Sequence, residues 1–387
     1  MKYTTVLIFL FFMQCSIASI KEGEENIVKT FQKTIAKSKF SKAATLLVHS
    51  DTLKVHIESS AGFLDNSKTI PVKKDQPFHV ASIGKIFTTV LIYQIIESGK
   101  LKLDDRISKV LSPDLLKNLF VYEGVDYSEK VTISDLLEHT SGVADYFEAL
   151  DKNDKSLLDE IQKNPDKLWT PKEILDYTRL NKKAVGKPSE KFHYSDTGFI
   201  LLGLIIEKIT NKSFEKIIQE KIFSPLGMKN SYVYLRSEPI DKSKLAPIST
   251  MMLGDKDVTN YKSISADWAG GGIISTAQDL LLFHQALIKG KLISNLNYSS
   301  LVGKNKFLDG IYYGKGLMTV RFNDMSFLMP KTPELYGHSG LLGTLLFYSP
   351  EYDSYIIANL GSTEDVGESF EMMFWIMQDL KEIKNLK

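Results

Sequence analysis

The amino-acid sequence predicts an α/β (α+β) fold, in which an antiparallel sheet built from both chain ends is flanked by helices and carries a mostly helical insertion. Two β-prone runs at 43–49 and 53–59 are separated by a short polar turn, which predicts a hairpin. Two more runs at 344–349 and 355–360 flank a second short link. Such short links impose antiparallel pairing. Because a helical pattern without repeats or low-complexity linkers separates the hairpins, we expect the two chain ends to share one sheet.

Residues outside the hairpins have the spacing of helices. Residues 86–96 are apolar nearly all round and are followed by Gly99, which predicts a helix buried on every side with a glycine cap. Residues 22–41 carry apolar residues on one face and predict a surface helix. Another helix is predicted to begin at a capping box formed by Ser275 and Gln278. Further helices are predicted after Thr132 and at 199–209, 214–222 and 370–386.

Length and composition describe a globular chain with a substantial core. Its 387 residues are 43% hydrophobic and 25% charged, which excludes a disordered or fibrous class. We expect a single domain over 19–387, with a sheet region at about 25–80 and 310–387 and a helical region at about 81–309. The net charge of +1 gives no electrostatic reason to expect a nucleic-acid partner and leaves small neutral or zwitterionic ligands open. The partner expected for this chain is a small-molecule or peptide substrate. The seven histidines lack metal-ligand spacing, and no metal or cofactor is predicted.

The N-terminal segment has the pattern of a secretory signal. Lys2 precedes an apolar run at 6–13, and the small-x-small pattern that signal peptidase favours follows at 16–18. The run is shorter than the ~18 residues of a spanning helix. A cleaved signal peptide over 1–18 is therefore predicted, with export to the periplasm or the medium. The alternatives are an uncleaved membrane anchor and lipoprotein attachment through Cys15, the one cysteine of the chain.

Two serines stand three residues before a lysine, and their surroundings differ. Ser213 and Lys216 lie at a polar junction, where a serine is expected to cap a helix and the lysine to face water. Ser82 and Lys85 begin the all-apolar helix, so the amine of Lys85 is expected in a low-dielectric interior. Only this second pair is a candidate for nucleophilic catalysis.

The charge of Lys85 determines whether it can activate Ser82. Residues i and i+3 of a helix share a face, with Cβ atoms roughly 5–6 Å apart, so the amine can reach the hydroxyl. Lowering the pKa of a lysine from ~10.4 to ~7 requires about 4–5 kcal/mol of destabilisation of its charged form, and burial can supply it. We therefore predict a weakly protonated Lys85. The alternative is a lysine neutralised by a carboxylate, beside a serine that only caps.

Three short motifs follow one another within roughly residues 40–365. They are the S-x-x-K of Ser82 and Lys85, Tyr-Ser-Asp at 194–196 and His-Ser-Gly at 338–340. This set resembles the serine β-lactamase and penicillin-binding-protein superfamily, specifically its class C-like branch of β-lactamases, D-alanyl-D-alanine carboxypeptidases and esterases. The flanking segments that strengthen the resemblance are ISDLLEHTSG at 133–142, GFILLG at 198–203, PLGM at 225–228 and GGIIST at 271–276.

The resemblance implies a β-lactamase/transpeptidase-like fold and a serine hydrolase that needs no metal. Ser82 would attack a carbonyl carbon and form an acyl-enzyme that water releases. Lys85 would remove the serine proton or hold Tyr194 as a phenolate, and which of the two is the proximate base stays open. Tyr194 would also act as the acid on the leaving group.

The resemblance also implies the residues around the substrate. In the family two backbone N–H groups bind the oxyanion, here those of Ser82 and Leu341. Gly340 would let the strand approach the substrate, and Ser339 belongs to the same substrate-binding segment. His139 lies in a matched motif that has no catalytic role in the family, and we expect it to be structural.

Two departures from the family pattern bear on the substrate. His338 stands where efficient β-lactamases carry lysine; with a reference pKa of ~6.5 it is expected to be mostly neutral at pH 7 and to anchor a carboxylate weakly. Asp196 replaces an asparagine and, when ionised, can only accept, which favours a substrate amine or hydroxyl. The sequence thus predicts a D-alanyl peptide carboxypeptidase, another peptidase or an esterase. The alternatives are a class C-like β-lactamase and a non-catalytic module that binds cell-wall peptides or β-lactams.

Overall fold

The computed structural model describes residues 19–65, 67–147, 155–294, 298–326 and 328–387. The predicted signal peptide over 1–18 and Cys15 lie outside these residues. Within the described ranges, no helix has both the length and the apolar character needed to cross a membrane.

Strands from both chain ends form one antiparallel sheet. In chain order the strands are β1 (Ala43–Ser50), β2 (Val55–Gly62), β3 (Phe78–His79), β4 (Val121–Tyr122), β5 (Val125–Asp126), β6 (Tyr232–Val233), β7 (Met252–Leu253), β8 (Lys256–Asp257), β9 (Ile273–Ser275), β10 (Asn305–Leu308), β11 (Ile311–Tyr313), β12 (Met318–Val320), β13 (Leu335–Gly340), β14 (Thr344–Ser349) and β15 (Ser354–Asn359). The large sheet has the order β10-β11-β12-β13-β14-β15-β1-β2. Because β1 pairs with β15, the two predicted hairpins lie side by side, and the predicted fold class is confirmed.

Helices cover both faces of this sheet. In chain order they are α1 (Ile20–Lys37), α2 (Gly84–Glu97), α3 (Pro113–Leu116), α4 (Ile133–Leu137), α5 (Leu157–Lys163), α6 (Pro171–Asn181), α7 (Asp196–Thr210), α8 (Phe214–Ile218), α9 (Ser224–Leu226), α10 (Trp268–Gly271), α11 (Ala277–Ile288), α12 (Phe322–Met325) and α13 (Val366–Asn385). The terminal helices α1 and α13 pack together on one face, where Ile27 and Phe31 join a core with Met373 and Ile376. Helix α11 contacts β1, β14 and β15 from the helical side.

Helix α2 runs through the core of the helical region, as its all-round apolar sequence predicts. It contacts α7 and α10, and Phe87 stacks on Phe283 of α11 with ring centroids 3.7 Å apart. The helix ends before Gly99, which adopts the left-handed backbone conformation expected of a glycine cap, with φ +74°. Lys85 lies in its first turn and is completely buried. The burial expected for this lysine is therefore confirmed.

The predicted start of α11 is wrong by one residue. Ser275 belongs to strand β9, where it pairs with Phe78. Its hydroxyl lies 2.8 Å from that of Ser231, so it does not cap the helix. Thr276 caps α11 instead, with its side chain accepting from the N–H of Asp279. Because β9 leads directly into α11, the first of the two adjacent hydroxyl residues, Ser275, pairs within the sheet. The second, Thr276, caps the helix.

Candidate active site

Ser82 lies in a tight turn between β3 and α2. The turn is a short 3₁₀ helix over Ala81–Ile83, and Ala81 enters it with φ +51°, a left-handed conformation that alanine rarely adopts. Nδ1 of His79 accepts a hydrogen bond from the N–H of Ala81 at 3.2 Å, which holds this conformation. The second S-x-x-K pair lacks such an environment, because Ser213 and Lys216 are exposed at the start of α8.

Strand β13 lies directly against the turn that carries Ser82. The Thr344 hydroxyl donates to the Val80 carbonyl at 2.9 Å, which ties β14 to the residue before Ala81. A Cβ atom on Gly340 would lie 2.7 Å from the Cβ of Ala81 and 2.3 Å from Oγ1 of Thr344. Only glycine fits at this distance. The end of β13, with Ser339 and Leu341 on either side of Gly340, therefore borders the serine, as the resemblance implies.

Lys85 connects Ser82 to a carboxylate on another helix. Its Nζ donates to Oγ of Ser82 at 3.0 Å and to the carbonyl of Gly270 at 3.1 Å. It also makes an ion pair with Oδ1 of Asp196, the first residue of α7. The amine therefore has three partners around it, one of which is charged.

The predicted weak protonation of Lys85 is wrong. Burial lowers the pKa of its amine, but the charges of Asp196 and Asp267 and the hydrogen bond to Asp196 outweigh this effect, and the pKa is raised above its usual value. The sequence shows that Lys85 is buried but not which carboxylate faces it. The lysine is a buried cation, as in the alternative of a carboxylate-paired lysine.

Tyr194 lies next to the same amine. The centre of its ring is 5.1 Å from Nζ of Lys85, and its phenol interacts with the Ser82 side chain. Burial, followed by the negative charge of Asp196, raises its pKa well above the usual value, so Tyr194 is a neutral phenol. The structure thus brings together the three groups that sequence analysis selects as nucleophile, base and acid.

His139 and Asp145 hold the segment that carries Tyr194 and Asp196. Nδ1 of His139 accepts from the N–H of Ser195 at 3.0 Å, and its ring lies 4.3 Å from that of Tyr194. Oδ1 of Asp145 accepts from the N–H of Asp196 at 2.9 Å. These contacts agree with the structural role expected of His139. The residue performs this role beside the site, where it contacts Ser195 and Tyr194.

His338 is buried on β13 and is neutral. Burial, and then the charge of Lys85, lowers its pKa to about 3. Its Nδ1 lies 2.5 Å from the carbonyl of Ser339 and its Nε2 lies 3.1 Å from the hydroxyl of Tyr313, so we place the ring proton on Nδ1. The neutrality predicted for His338 agrees with these observations. The groups around His338 do not stabilise its protonated form, so the side chain carries no positive charge where efficient β-lactamases have lysine.

The comparison with protein families agrees with this geometry. The Beta-lactamase family model matches residues 28–370. The chain belongs to the Beta-lactamase family. It is 29% identical to penicillin-binding protein 4* of Bacillus subtilis (strain 168) over 334 residues, which cover 83% of the chain and 67% of that protein. It spans about half the length of other curated relatives that it matches.

Two solved structures have the fold of this Beta-lactamase family protein. D-amino acid amidase from Ochrobactrum anthropi SV3, complexed with L-phenylalanine amide, superimposes with a TM-score of 0.74 at 21% identity, covering 94% of the chain and 99% of the amidase. EstCE1, a hydrolase with promiscuous acyltransferase activity, has a TM-score of 0.68 at 17% identity, covering 94% of the chain and 98% of EstCE1. With the family match and its penicillin-binding-protein relatives, this chain is a β-lactamase-related serine hydrolase.

Asp267 is a second carboxylate in the site of this Beta-lactamase family protein, and sequence analysis missed it. It immediately precedes α10 and is 9% exposed. Burial, followed by the negative charge of Asp196, raises its pKa to about 7, while the charge of Lys85 opposes this shift. The sequence signal that could have found it is its place three residues before Gly270, at the start of a glycine run.

The glycine run after Asp267 permits close packing of the chain beside Lys85. A Cβ atom on Gly84 would lie 2.7 Å from Cα of Gly271, and one on Gly271 would lie 2.6 Å from the carbonyl oxygen of Ala81. The start of α2 and the end of α10 therefore touch through backbone atoms. In the described part of the chain, no cluster of three or more His, Cys, Asp or Glu residues is arranged to hold a metal ion.

Proposed function

We propose that this serine hydrolase acts on esters or amides through an acyl-enzyme formed on Ser82. The observation that carries the proposal is the 3.0 Å hydrogen bond between Nζ of Lys85 and Oγ of Ser82, with the ring centre of Tyr194 5.1 Å from the same amine. An activated serine needs a base and an acid close by, and both types of group lie beside Ser82.

The base in this proposal is the ion pair of Lys85 and Asp196 acting together. Lys85 is charged and Tyr194 is a neutral phenol, so neither can accept a proton alone. As Oγ of Ser82 bonds to the carbonyl carbon, its proton passes to Nζ of Lys85, which releases a proton to Oδ1 of Asp196. The carbonyl electron pair moves to the oxygen, and the charge developing there is bound by the N–H groups of Ser82 and Leu341.

Collapse of this intermediate expels the leaving group. Tyr194 gives its proton to the leaving nitrogen or oxygen and regains one from the protonated Lys85 and Asp196 pair. The acyl group stays on Ser82 until water attacks it with the same groups acting in reverse. General acid catalysis of this kind contributes typically ~10²–10⁴ in rate.

The substrate that fits this site is a neutral or amine-bearing ester or amide. His338 supplies no positive charge for a substrate carboxylate, because its pKa lies at about 3. Asp196 accepts and cannot donate to the acyl amide that a β-lactam side chain presents. Two structural relatives, a D-amino acid amidase and a hydrolase with promiscuous acyltransferase activity, support such a substrate. We place D-aminoacyl amides and peptides and short esters ahead of D-alanyl-D-alanine peptides and β-lactams.

A substrate panel tests this proposal. The purified protein is assayed with a short-chain p-nitrophenyl ester, a D-alanine anilide, a D-alanyl-D-alanine peptide and a chromogenic cephalosporin. We expect kcat/KM for the ester or the anilide to exceed that for the cephalosporin by at least about 10², and Ser82→Ala to abolish turnover with an unchanged melting temperature. Cephalosporin hydrolysis orders of magnitude above the rest would overturn the substrate class. A stable adduct by intact mass, without release, would instead support a binding module.

We also propose that the chain is exported after cleavage behind residue 18. The support is the pattern of Lys2, an apolar run and a small-x-small site. N-terminal sequencing of the protein from a host's periplasm or medium should begin near Ser19. Recovery of the intact N-terminus in the cytosol would contradict export.

A further inference from the structure

We infer that Asp267 is a positioning residue whose ionisation sets the proton affinity of the Lys85 and Asp196 pair, and so the pH dependence of Ser82 acylation. The inference rests on the proposed function in one respect, that Ser82 is the nucleophile. It adds to the proposed function a group that touches neither the serine nor the substrate and acts through Lys85.

The position of Gly270 shows how close the three charged groups lie. A Cβ atom built on Gly270 would be 2.9 Å from Oδ1 of Asp196, 3.5 Å from Oδ1 of Asp267 and 3.8 Å from Nζ of Lys85. The two carboxylates and the amine therefore surround one point beside the backbone of α10. Asp267 interacts with Lys85 through space in a buried environment, where charges are screened little.

His79 lies on the other side of Asp267 and does not cancel its charge. Because Nδ1 of His79 accepts from the N–H of Ala81, its ring proton is on Nε2. This Nε2 is buried without a hydrogen-bond partner among the described residues and lies 3.9 Å from Oδ2 of Asp267. Burial lowers the pKa of His79 to about 4, so the ring is neutral and offers a dipole only. His79 thus lies between the turn before Ser82 and Asp267.

The other titratable groups around Asp267 keep the same protonation state near neutral pH. Tyr146 and Tyr194 interact with it as phenols, and burial raises the pKa of both well above the usual value. Lys85 stays charged in its ion pair with Asp196. Asp267, with a pKa of about 7, is the group facing this cluster that changes charge across neutrality.

The charge of Asp267 changes the cost of deprotonating Ser82. When Asp267 is ionised, the proton that leaves Ser82 takes the cluster of Asp267, Asp196 and Lys85 from one net negative charge to neutrality. When Asp267 is protonated, the same transfer takes the cluster from neutrality to one net positive charge. Adding a proton to a buried cluster is easier in the first case. Acylation should therefore be fast above the pKa of Asp267 and slow below it.

The test measures the rate at which a fluorophosphonate probe labels Ser82, followed by intact mass between about pH 5 and 9. This probe reports the reactivity of the serine whatever the natural substrate is. We expect the wild-type rate to rise about tenfold or more through pH 7, equivalent to a change of about one pKa unit or more in the accepting pair. Asp267→Asn should be slow and flat across this window, and Asp267→Glu should recover a rise with a displaced midpoint.

A matched control separates this effect from loss of structure. Asp279 is also a buried carboxylate whose pKa burial raises, but it accepts from Asn230 and Ser231 at the start of α11. Asp279→Asn should lower the melting temperature and keep the wild-type midpoint of labelling. A labelling rate in Asp267→Asn that rises with the wild-type midpoint would overturn the inference. If Asp267→Asn does not fold, an unchanged midpoint in Asp267→Glu would overturn it instead. Wild-type protein that is unlabelled at every pH would overturn the proposed nucleophile, and this inference with it.

Discussion

Lys85 carries a positive charge where the surrounding helix is apolar, and this is possible because Asp196 faces it. Breaking a buried ion pair by removing one partner costs roughly 3–5 kcal/mol, because the remaining charge stays buried. The pair therefore restrains both α2 and α7, whose first turns supply its two members. The proposed function gives the same carboxylate a second role, in which it limits the substrates that the site accepts.

Changing Asp196 to asparagine should alter substrate specificity and also destabilise the fold, because it removes one partner of the buried ion pair. Asparagine offers an N–H to a substrate acyl amide, which the carboxylate cannot do. We expect the ratio of kcat/KM for a cephalosporin to that for a p-nitrophenyl ester to rise about tenfold in Asp196→Asn, the effect of a hydrogen bond of about 1–1.5 kcal/mol. Loss of the base slows both reactions, so its effect cancels in the ratio and the change in substrate recognition remains. Asp145→Asn, which keeps an acceptor for the Asp196 N–H, should leave the ratio unchanged, and an equal ratio in both variants would contradict the role of Asp196.

His139 illustrates a residue whose backbone and side chain both serve the site. Its φ of +57° is a left-handed conformation, and its Nδ1 accepts from Ser195 next to Tyr194. We expect His139→Ala to lower kcat about tenfold and to destabilise the fold by about 1–3 kcal/mol, because a buried N–H loses its acceptor. Asparagine tolerates the left-handed conformation and carries an acceptor, so His139→Asn should recover part of both. Equal losses in both variants, by steady-state kinetics and thermal melting, would argue against this role.

At the scale of elements, the site depends on how closely β13 approaches the turn before α2. Ala81 keeps a left-handed conformation that costs roughly 1–2 kcal/mol in a non-glycine residue. Its N–H is held by His79, and the preceding carbonyl of Val80 is held by Thr344. The turn is thus fixed to the hairpin of β13 and β14, whose connection begins with Leu341.

Adding a methyl group to Gly340 should separate these two elements. The new Cβ would lie 2.7 Å from that of Ala81 and 3.0 Å from the Val80 carbonyl oxygen, both on a restrained backbone. We expect Gly340→Ala to lower kcat by about 10², comparable to loss of an oxyanion donor. Gly367→Ala is the matched control, because nothing lies within 4 Å of its would-be Cβ in α13 and the change should be neutral or slightly stabilising. Full activity in Gly340→Ala would show that the contact can relax without cost.

Across the whole molecule, local sequence patterns predicted the framework and the proximity of Ser82 and Lys85. The two hairpins are defined by short links within 43–62 and 344–359, so their pairing is legible in the sequence, and the shared sheet follows. Ser82 and Lys85 are one helical turn apart, which places them together without knowledge of the fold. The match of Tyr194 came from a family motif, because no local pattern brings a residue of the segment before α7 to α2.

Features that depend on the approach of distant segments could not be predicted. The charge of Lys85 depends on Asp196, which lies 111 residues away. Asp267 reaches the site because α10 packs beside α2, and Tyr313 reaches it because its side chain extends from β11 past β12 to His338 on β13. Neither residue belongs to a motif used in the sequence analysis. Burial of Lys85 alone suggests a lowered pKa for its amine, but with Asp196 beside it the pKa is raised. The electrostatics of such a site require the fold.

Four buried histidines of the described residues make the molecule sensitive to acid. Burial lowers the pKa of His79 to about 4, those of His284 and His338 to about 3, and that of His139 well below its usual value. In the unfolded chain each titrates near ~6.5, so below that pH the unfolded state binds more protons than the folded state. Stability is therefore fully present above about pH 6.5 and is lost as the pH falls toward 4. Asp267, whose pKa is raised, contributes with the opposite sign up to about pH 7.

His284 allows this acid sensitivity to be measured outside the active site, because it lies on α11 against Tyr355 of the sheet. One such group contributes a slope of at most ~1.4 kcal/mol per pH unit to the free energy of unfolding. In urea titrations between about pH 7 and 4, His284→Leu should lose stability less steeply than wild type by up to this amount. The exposed His56 provides the control, and His56→Leu should retain the wild-type slope. If both variants keep that slope, protonation of His284 does not contribute to acid unfolding.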